Sequence, residues 1–252
     1  MRQSLGSILL LEGFVNQYLQ GCLLASAILT GMVSLTADAL EREAVDSFFD
    51  DYLPQAMAAR HVPGLAVTVV QRDRQLTSKG YGVADTGTMR PVDPDATLFD
   101  VQSVAKLVVA TSAVIAAERG SVDLNADVNQ YLEGFELPRT HAEPVTLTAL
   151  LTHTSGLEDR GTGITTQALA EVPAIGTFLK RTLTQRVAPP FQDLVYSDQG
   201  MTLAAFAVQT AVGIPFDEYA RLNVFEPLRM NHTHYLDVPE ELKKHQARSY
   251  LF

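Results

Sequence analysis

A serine and a lysine lie three residues apart in Ser103-Val104-Ala105-Lys106, at the start of a long apolar stretch. Residues at positions i and i+3 share a helix face, so the Lys106 amine can reach the Ser103 hydroxyl. An amine placed in this way can act as the base that activates a serine nucleophile. The same pattern also fits a serine that caps a helix and a lysine in solvent, so the four residues alone leave both alternatives open.

The residues on either side of this pair favour the catalytic alternative. Residues 97–102 (TLFDVQ) are typical of a strand, and residues 107–117 (LVVATSAVIAA) are apolar almost all round the helix that they predict. A helix of that kind is usually buried. We therefore expect Lys106 to lie at the buried end of a core helix, where desolvation lowers the pKa of its amine and favours the neutral form.

Composition and charge restrict the class of protein. The chain has 252 residues, of which 46% are hydrophobic and 19% charged, as in an ordinary globular protein. The formal net charge is −10 and no run of lysines or arginines occurs, which argues against a nucleic-acid partner. Cys22 is the single cysteine, so neither an intrachain disulfide nor a cysteine-based metal site can form. No metal and no organic cofactor is expected.

The N-terminal segment is typical of a secretory signal. Residues 21–37 are uncharged and mostly apolar, and Ala37-Asp38-Ala39 ends them with a small-x-small cleavage pattern. We expect residues 1–39 to be removed and the protein to be exported, to the periplasm or the extracellular space. The alternative is an uncleaved membrane anchor through residues 13–37, although the apolar run is slightly shorter than the ~20 residues that span a bilayer.

Hydrophobic periodicity predicts several helices and a small sheet. Residues 65–70 and 75–83 alternate on either side of a polar turn at 71–74, which predicts a β-hairpin. Residues 158–176 are rich in glycine and threonine and are a candidate loop or lid. Two strands alone are marginally stable, so part of the sheet is missing from this prediction. A loop is expected at 191–200 and an extended segment from 227. Further helices are expected at 40–60, 145–151, 177–185, 201–212 and 216–224.

Six segments resemble, in order and spacing, the serine β-lactamase and penicillin-binding-protein superfamily, on its class C and esterase-like branch. The resemblance implies an α+β fold of the β-lactamase/transpeptidase type, with a helical lobe and an antiparallel sheet. Residues 40–252 would form one such domain that lacks its C-terminal part, so that only the N-terminal strands of the sheet are present. The segments are 62–67 (VPGLAV), 80–85 (GYGVAD), 98–106 (LFDVQSVAK), 150–157 (LLTHTSGL), 195–198 (VYSD) and 227–230 (PLRM).

The resemblance also implies roles for individual side chains. Ser103 is expected to be the nucleophile, with its backbone N–H as one donor of the oxyanion hole, and Lys106 to be its base. Tyr196 would pass a proton to the leaving group, although a buried tyrosine with a satisfied hydroxyl is the alternative. Asp198 would contact the substrate.

Asp198 departs from the family pattern, which usually has asparagine there. An ionised aspartate only accepts hydrogen bonds, whereas asparagine also donates one. Its charge should raise the pKa of Lys106 and disfavour the neutral base. We therefore expect weaker recognition of acylamides, and a shift of activity from β-lactams and peptides towards esters.

A second departure concerns the third motif of the family, Lys-Thr-Gly or His-x-Gly, which contributes the other oxyanion donor and does not occur after Tyr196. Loss of one such donor costs a rate factor on the order of a hundred or more. Two functions stay open. One is an exported serine hydrolase acting on a small ester, amide, β-lactam or peptidoglycan-like substrate, and the other is a truncated, impaired remnant that serves as a binding module or has no activity.

Two competing sites are weaker. Ser155 lies in a Thr-Ser-Gly segment, but the chain has no Gly-x-Ser-x-Gly elbow, so we expect a structural role for that segment. His232 and His234 could share one side of a strand, but no third ligand follows at a recognisable spacing, so surface histidines are expected.

Overall fold

A computed structural model describes residues 40–158, 172–235 and 238–250 of the chain. These residues form seven α-helices and a three-stranded antiparallel sheet, as the predicted α+β class requires. The chain divides into two compact units, residues 1–95 and 96–252. The predicted signal or anchor segment and most of the predicted lid lie outside the described residues. Within the described ranges, no helix combines the length and the apolar character needed to cross a bilayer.

The first unit consists of helix α1 (Arg42–Ala59) and strands β1 (Gly64–Gln71), β2 (Arg74–Asp85) and β3 (Arg90–Pro91). The strands pair in the order β1-β2-β3, so the predicted hairpin is confirmed. Its turn is tighter than predicted, because only two residues separate the strands and the first of them has a φ of +59°. Pro54 lies inside α1.

Asp50 joins α1 to the sheet. Its carboxylate accepts hydrogen bonds from Lys79 Nζ at 2.7 Å and from the Tyr81 hydroxyl at 2.7 Å, and both donors lie on β2. These hydrogen bonds lower the pKa of Asp50. Burial, together with the hydrogen bond to Asp50, raises the pKa of Tyr81 to about 12. The helix is therefore attached to the strand by a polar contact that requires an ionised Asp50 and a neutral Tyr81.

The second unit is mainly helical and contains the hydrophobic core. A 3₁₀ turn (Gln102–Val104) leads directly into α2, another covers Val128–Tyr131, and a π turn (Arg221–Phe225) follows α6. The helices are α2 (Ala105–Glu118), α3 (Leu147–Leu151), α4 (Ile175–Thr182), α5 (Asp198–Val212), α6 (Phe216–Ala220) and α7 (Glu240–Lys243).

Helix α5 lies at the centre of this core and packs against α2, α3 and α4. It begins at an N-cap serine, Ser197, whose hydroxyl accepts the Gly200 N–H at 3.0 Å. It ends at Gly213, which adopts a φ of +78°. Apolar side chains from 201 to 208 are buried along almost the whole length of the helix. Its first turn, which carries Asp198, is therefore fixed to the most buried part of the unit.

Four local predictions are wrong. Residues 97–102 do not form a strand, since they contain only an isolated bridge at Leu98 before the 3₁₀ turn begins at Gln102. Helix α2 is not buried all round: Val109 and Ala113 face the core, but the Leu107 side chain is 68% exposed. The predicted loop at 191–200 ends early, because the Ser197 cap starts α5 at Asp198. The segment from 227 begins as a turn rather than an extended segment, since the N–H groups of residues 228–230 donate back to the carbonyls of Val224, Glu226 and Phe225.

Candidate active site

Three polar side chains meet at the N-terminal end of α2. The Ser103 Oγ accepts a hydrogen bond from Lys106 Nζ at 3.0 Å and another from the Tyr196 hydroxyl at 2.7 Å. Ser103 and Tyr196 are exposed, so a small molecule can approach the serine oxygen. Two donors around one serine oxygen stabilise the negative charge that develops when that oxygen becomes a nucleophile.

The 3₁₀ turn before α2 presents Ser103 in a constrained backbone. Gln102, the preceding residue, has a φ of +48°, which is unfavourable for a residue with a side chain. Asp100 holds that conformation, because its carboxylate accepts the Gln102 backbone N–H at 3.0 Å and the side-chain amide at 2.7 Å. Strained conformations of this kind persist where the surrounding structure fixes them, and they concentrate at functional sites.

The segment that leads into this turn is itself held from the far end of the unit. The Leu98 N–H donates to the His245 carbonyl at 3.0 Å, and the Ala247 N–H donates to the Leu98 carbonyl at 2.8 Å. These two bonds form a parallel bridge between Leu98 and Gln246. The approach to Ser103 therefore depends on residues that lie some 150 positions later in the chain.

The Lys106 amine contacts the Ser103 hydroxyl, the Asp198 carboxylate and the face of the Tyr196 ring. Its Nζ is in direct contact with the Asp198 carboxylate and 4.8 Å from the centre of the Tyr196 ring. Burial lowers the pKa of Lys106, but the hydrogen bonds to Asp198 and Tyr196 and the charge of Asp198 outweigh it, so the pKa is raised above its ordinary value of 10.5. The effect expected of Asp198 is confirmed, and the expected neutral amine is wrong. The protonated amine dominates at neutral pH.

His153 contacts Tyr196 and both residues next to it in the chain. The two rings lie against each other in a tilted arrangement, with their centres 4.4 Å apart and their planes inclined by 30°. His153 Nδ1 accepts the Ser197 N–H at 3.2 Å, and its backbone carbonyl accepts the Val195 N–H at 2.8 Å. His153 thus contacts the residue on each side of Tyr196 as well as Tyr196 itself.

Residues 154–156, which follow His153, also bond to the loop that carries Tyr196. The Thr154 carbonyl accepts the Phe191 N–H at 2.7 Å, and the Gly156 carbonyl accepts the Val187 N–H at 2.8 Å. Gly156 has a φ of +74°, and a Cβ at this position would lie 2.0 Å from the Ala188 carbonyl oxygen. Only glycine therefore fits where the two segments meet.

The structure brings all four predicted site residues together: Ser103, Lys106, Tyr196 and Asp198. It does not favour the competing sites. Ser155 is buried and its hydroxyl accepts the Leu157 N–H at 3.3 Å. Among the residues that the structure describes, no three His, Cys, Asp or Glu side chains lie close enough to hold a metal ion, and this includes the two histidines at 232 and 234.

Sequence reasoning missed two residues that contact the site. His153 lies in one of the family-like segments, but nothing in its spacing indicates an interaction with Tyr196. Asp100 lies two residues before Gln102, and an aspartate at that distance is a known turn-forming signal.

Comparison with known proteins gives consistent matches. A protein-family model described as Beta-lactamase matches residues 49–251. The β-lactamase of Providencia stuartii is 27% identical over 235 residues, which cover 93% of this chain and 57% of that protein. Esterase EstB of Burkholderia gladioli is 36% identical over 125 residues, or 48% of this chain and 31% of that protein.

A solved structure agrees with these sequence matches. The β-lactamase/D-alanine carboxypeptidase from Yersinia pestis superposes with a TM-score of 0.69 at 25% identity, and the match covers 80% of this chain and 58% of that one. The chain spans about half the length of the curated relatives that it matches.

Proposed function

The chain belongs to the β-lactamase family of serine hydrolases, and from this premise we propose that it is a hydrolase which forms an acyl-enzyme at Ser103. One observation carries the proposal: a single, accessible serine oxygen accepts hydrogen bonds from both a lysine amine and a tyrosine hydroxyl. The pair of contacts is the arrangement that nucleophile activation needs.

In the proposed reaction, the Ser103 oxygen attacks the carbonyl carbon of the substrate while the neutral form of Lys106 takes its proton. The bond between that carbon and the leaving group then breaks, and Tyr196 supplies the proton that the leaving group gains. In a second step water attacks the acyl carbon and its proton restores the Tyr196 hydroxyl, while the Ser103 oxygen leaves the acyl group and regains its proton from Lys106. Because the pKa of Lys106 is raised, only a small fraction of the enzyme carries the neutral amine at neutral pH, and the rate should increase as the pH rises.

Asp198 makes an uncharged ester the preferred substrate class. Its carboxylate is 46% exposed and lies against Lys106, so it neutralises the cation that would otherwise attract an anionic substrate. β-Lactams and peptides with a free C-terminus carry a carboxylate, which Asp198 repels. An ester also has a better leaving group than an amide, so its cleavage tolerates a weaker base. Supporting this choice, an esterase is among the matched proteins.

We also propose that the protein is exported. The support comes from residues 21–37, which are uncharged and mostly apolar, and from the small-x-small pattern that ends at Ala39. Mass spectrometry of the protein recovered from a secreting host tests this directly. A mature N-terminus at Leu40 supports export with cleavage, and an intact N-terminus in the membrane fraction supports the anchor.

A fluorophosphonate probe tests the hydrolase. The activated serine oxygen bonds to phosphorus and displaces fluoride, while the serine proton passes to the base, so the probe reports nucleophile activation without a known substrate. We expect labelling of the wild-type protein, none of Ser103→Ala, and slower labelling of Lys106→Ala and Tyr196→Phe. Ser155→Ala is the matched control, because it removes a buried serine from the same unit, and it should be labelled like the wild type.

The outcome also decides between the two functions that the sequence leaves open. A folded chain that the probe does not label, with cooperative thermal unfolding as the criterion of folding, would refute the hydrolase and support a non-catalytic binding module. Labelling that persists in Ser103→Ala would refute the assignment of the nucleophile.

A further inference from the structure

His153 makes three contacts with the segment that carries Tyr196, and each has a different character. The ring lies against the Tyr196 ring in a tilted arrangement, Nδ1 accepts the N–H of Ser197, and the backbone carbonyl accepts the N–H of Val195. Because Nδ1 accepts a hydrogen bond, the ring proton of the neutral imidazole is on Nε2. Two of the three contacts depend on the side chain.

These contacts restrict the orientation of the Tyr196 hydroxyl, which bonds to Ser103. Tyr196 reaches Ser103 with a single hydrogen bond of 2.7 Å, although its own side chain is exposed. An exposed phenol can rotate about two side-chain bonds, and holding it in one orientation costs conformational entropy. The imidazole against the Tyr196 ring restricts its rotation, and the hydrogen bond from the Ser197 N–H fixes the backbone from which the Tyr196 side chain extends.

We propose that His153 is a positioning residue for the reaction at Ser103, acting through Tyr196 rather than on the substrate. The inference rests on the proposed function, since it assigns a role within the same site. Reacting groups lose large rate factors when they are displaced by about 1 Å, so a residue that holds the phenol in place affects the rate of acylation. Because His153 does not need to contact the substrate, its replacement should lower kcat and leave KM unchanged.

The backbone of His153 makes the choice of variants important. Its φ is +58°, a conformation that asparagine tolerates better than most residues. His153→Asn keeps an acceptor close to the position of Nδ1 and removes the ring, whereas His153→Ala removes both. Thr152→Val is the matched control, because Thr152 is the adjacent exposed residue and its hydroxyl bonds only within its own segment.

A double-mutant cycle separates positioning from general stability. The rate of fluorophosphonate labelling is measured for the wild type, His153→Ala, Tyr196→Phe and the double variant. We expect His153→Ala to label about 10–100 times more slowly than the wild type. We expect His153→Asn to recover part of that loss, and Thr152→Val to show none. In the Tyr196→Phe background, His153→Ala should change the rate by less than about twofold, because the hydroxyl that it positions is already absent.

Each result bears on the inference. Equal fold-losses for His153→Ala in both backgrounds would overturn it, because the residue would then act independently of the Tyr196 hydroxyl. An unchanged rate for His153→Ala would overturn it as well. If His153→Ala does not fold, the cycle is run with His153→Asn, and the same criterion of non-additivity applies. A wild-type protein that is not labelled refutes the proposed function, whereas a labelled wild type with an additive cycle refutes only the role of His153.

Discussion

Replacing Asp198 with asparagine removes the negative charge beside Lys106 while keeping the size of the side chain. In the wild type, burial lowers the pKa of Lys106, and the contacts with Asp198 and Tyr196 raise it by more. Asp198→Asn removes the charge of the carboxylate, weakens the hydrogen bond that Lys106 donates to this side chain, and leaves the burial unchanged. The pKa of Lys106 should therefore fall, and more of the enzyme should carry the neutral amine at a given pH.

The size of the effect follows from the exposure of the two groups. A charge-assisted hydrogen bond contributes about 1.5–3 kcal/mol in a sheltered site. The Lys106 side chain is 19% exposed but that of Asp198 is 46% exposed, so solvent screens much of the interaction. A value of ~1 kcal/mol, typical of exposed ion pairs, is therefore appropriate. It corresponds to about a fivefold increase in the neutral fraction of Lys106 below its pKa.

The assay is the hydrolysis of a p-nitrophenyl ester as a function of pH, with the rate of Ser103→Ala subtracted at each pH. In the wild type the rate should rise towards alkaline pH, and in Asp198→Asn this rise should begin at lower pH. A chromogenic cephalosporin is measured in parallel, because asparagine no longer repels a substrate carboxylate and can donate a hydrogen bond to a carbonyl. Asp193→Asn is the matched control, since it makes the same change of net charge at an exposed loop position.

Two results would refute this reasoning. If the alkaline rise of Asp198→Asn coincides with that of the wild type, Asp198 does not control the protonation of Lys106. If the cephalosporin rate does not improve relative to the ester rate, the charge of Asp198 does not determine the preference for esters. A shift of equal size in Asp193→Asn would attribute the effect to the net charge of the protein.

Two further substitutions test the segments that hold the site, and one titration tests the first unit by itself. Gly156→Ala places a Cβ against the Ala188 carbonyl at a positive φ, so it should lower the free energy of unfolding by more than about 1 kcal/mol and slow probe labelling; an unchanged melting temperature would contradict the close packing. Ser197→Ala removes the N-cap of α5 and should cost about 1 kcal/mol in urea unfolding, whereas a cost near zero would mean that the cap is not used. Tyr81 should ionise at about pH 12 when its absorbance at alkaline pH is followed. Because its pKa is raised in the folded state, its contribution to stability is complete below pH ~10 and is lost as the pH rises towards 12, and titration at the ordinary pKa of a tyrosine would contradict the contact with Asp50.

Local patterns predict the parts of this molecule that depend on neighbouring residues. The hairpin follows from alternation and a polar turn, and the pairing of Ser103 with Lys106 follows from helical spacing. The contact between Tyr196 and Ser103 joins residues 93 positions apart, and only the resemblance to a family predicts it. The role of His153 escapes prediction for a related reason, since Nδ1 bonds to a backbone N–H 44 residues later and any residue could supply that N–H.

The protonation of Lys106 shows a different limit. The sequence indicates both burial and a nearby carboxylate, which have opposite effects on the pKa of an amine. Only the geometry shows which is larger: direct contact with Asp198 and the position over the Tyr196 ring outweigh a burial that leaves about a fifth of the side chain exposed. The sequence shows which groups can shift the pKa of Lys106, but their distances and exposure determine the direction of the net shift.

Asp198 also has a structural reason to be acidic. It is the first residue of α5, where a negative charge interacts favourably with the N-terminal end of the helix dipole, a contribution of about 0.3–1 kcal/mol at exposed sites. Asp198→Asn should therefore increase the neutral fraction of Lys106 and at the same time lower the free energy of unfolding. Because the pKa of Lys106 is raised in the folded state, the ion-pair part of this stability is present below the ordinary pKa of 10.5 and is lost as the pH rises through the higher folded value. The stability difference between wild type and Asp198→Asn should thus narrow at strongly alkaline pH to the contribution of the helix dipole alone. A difference that does not change with pH would show that Asp198 stabilises the protein only through α5, and that its contact with Lys106 contributes nothing to folding.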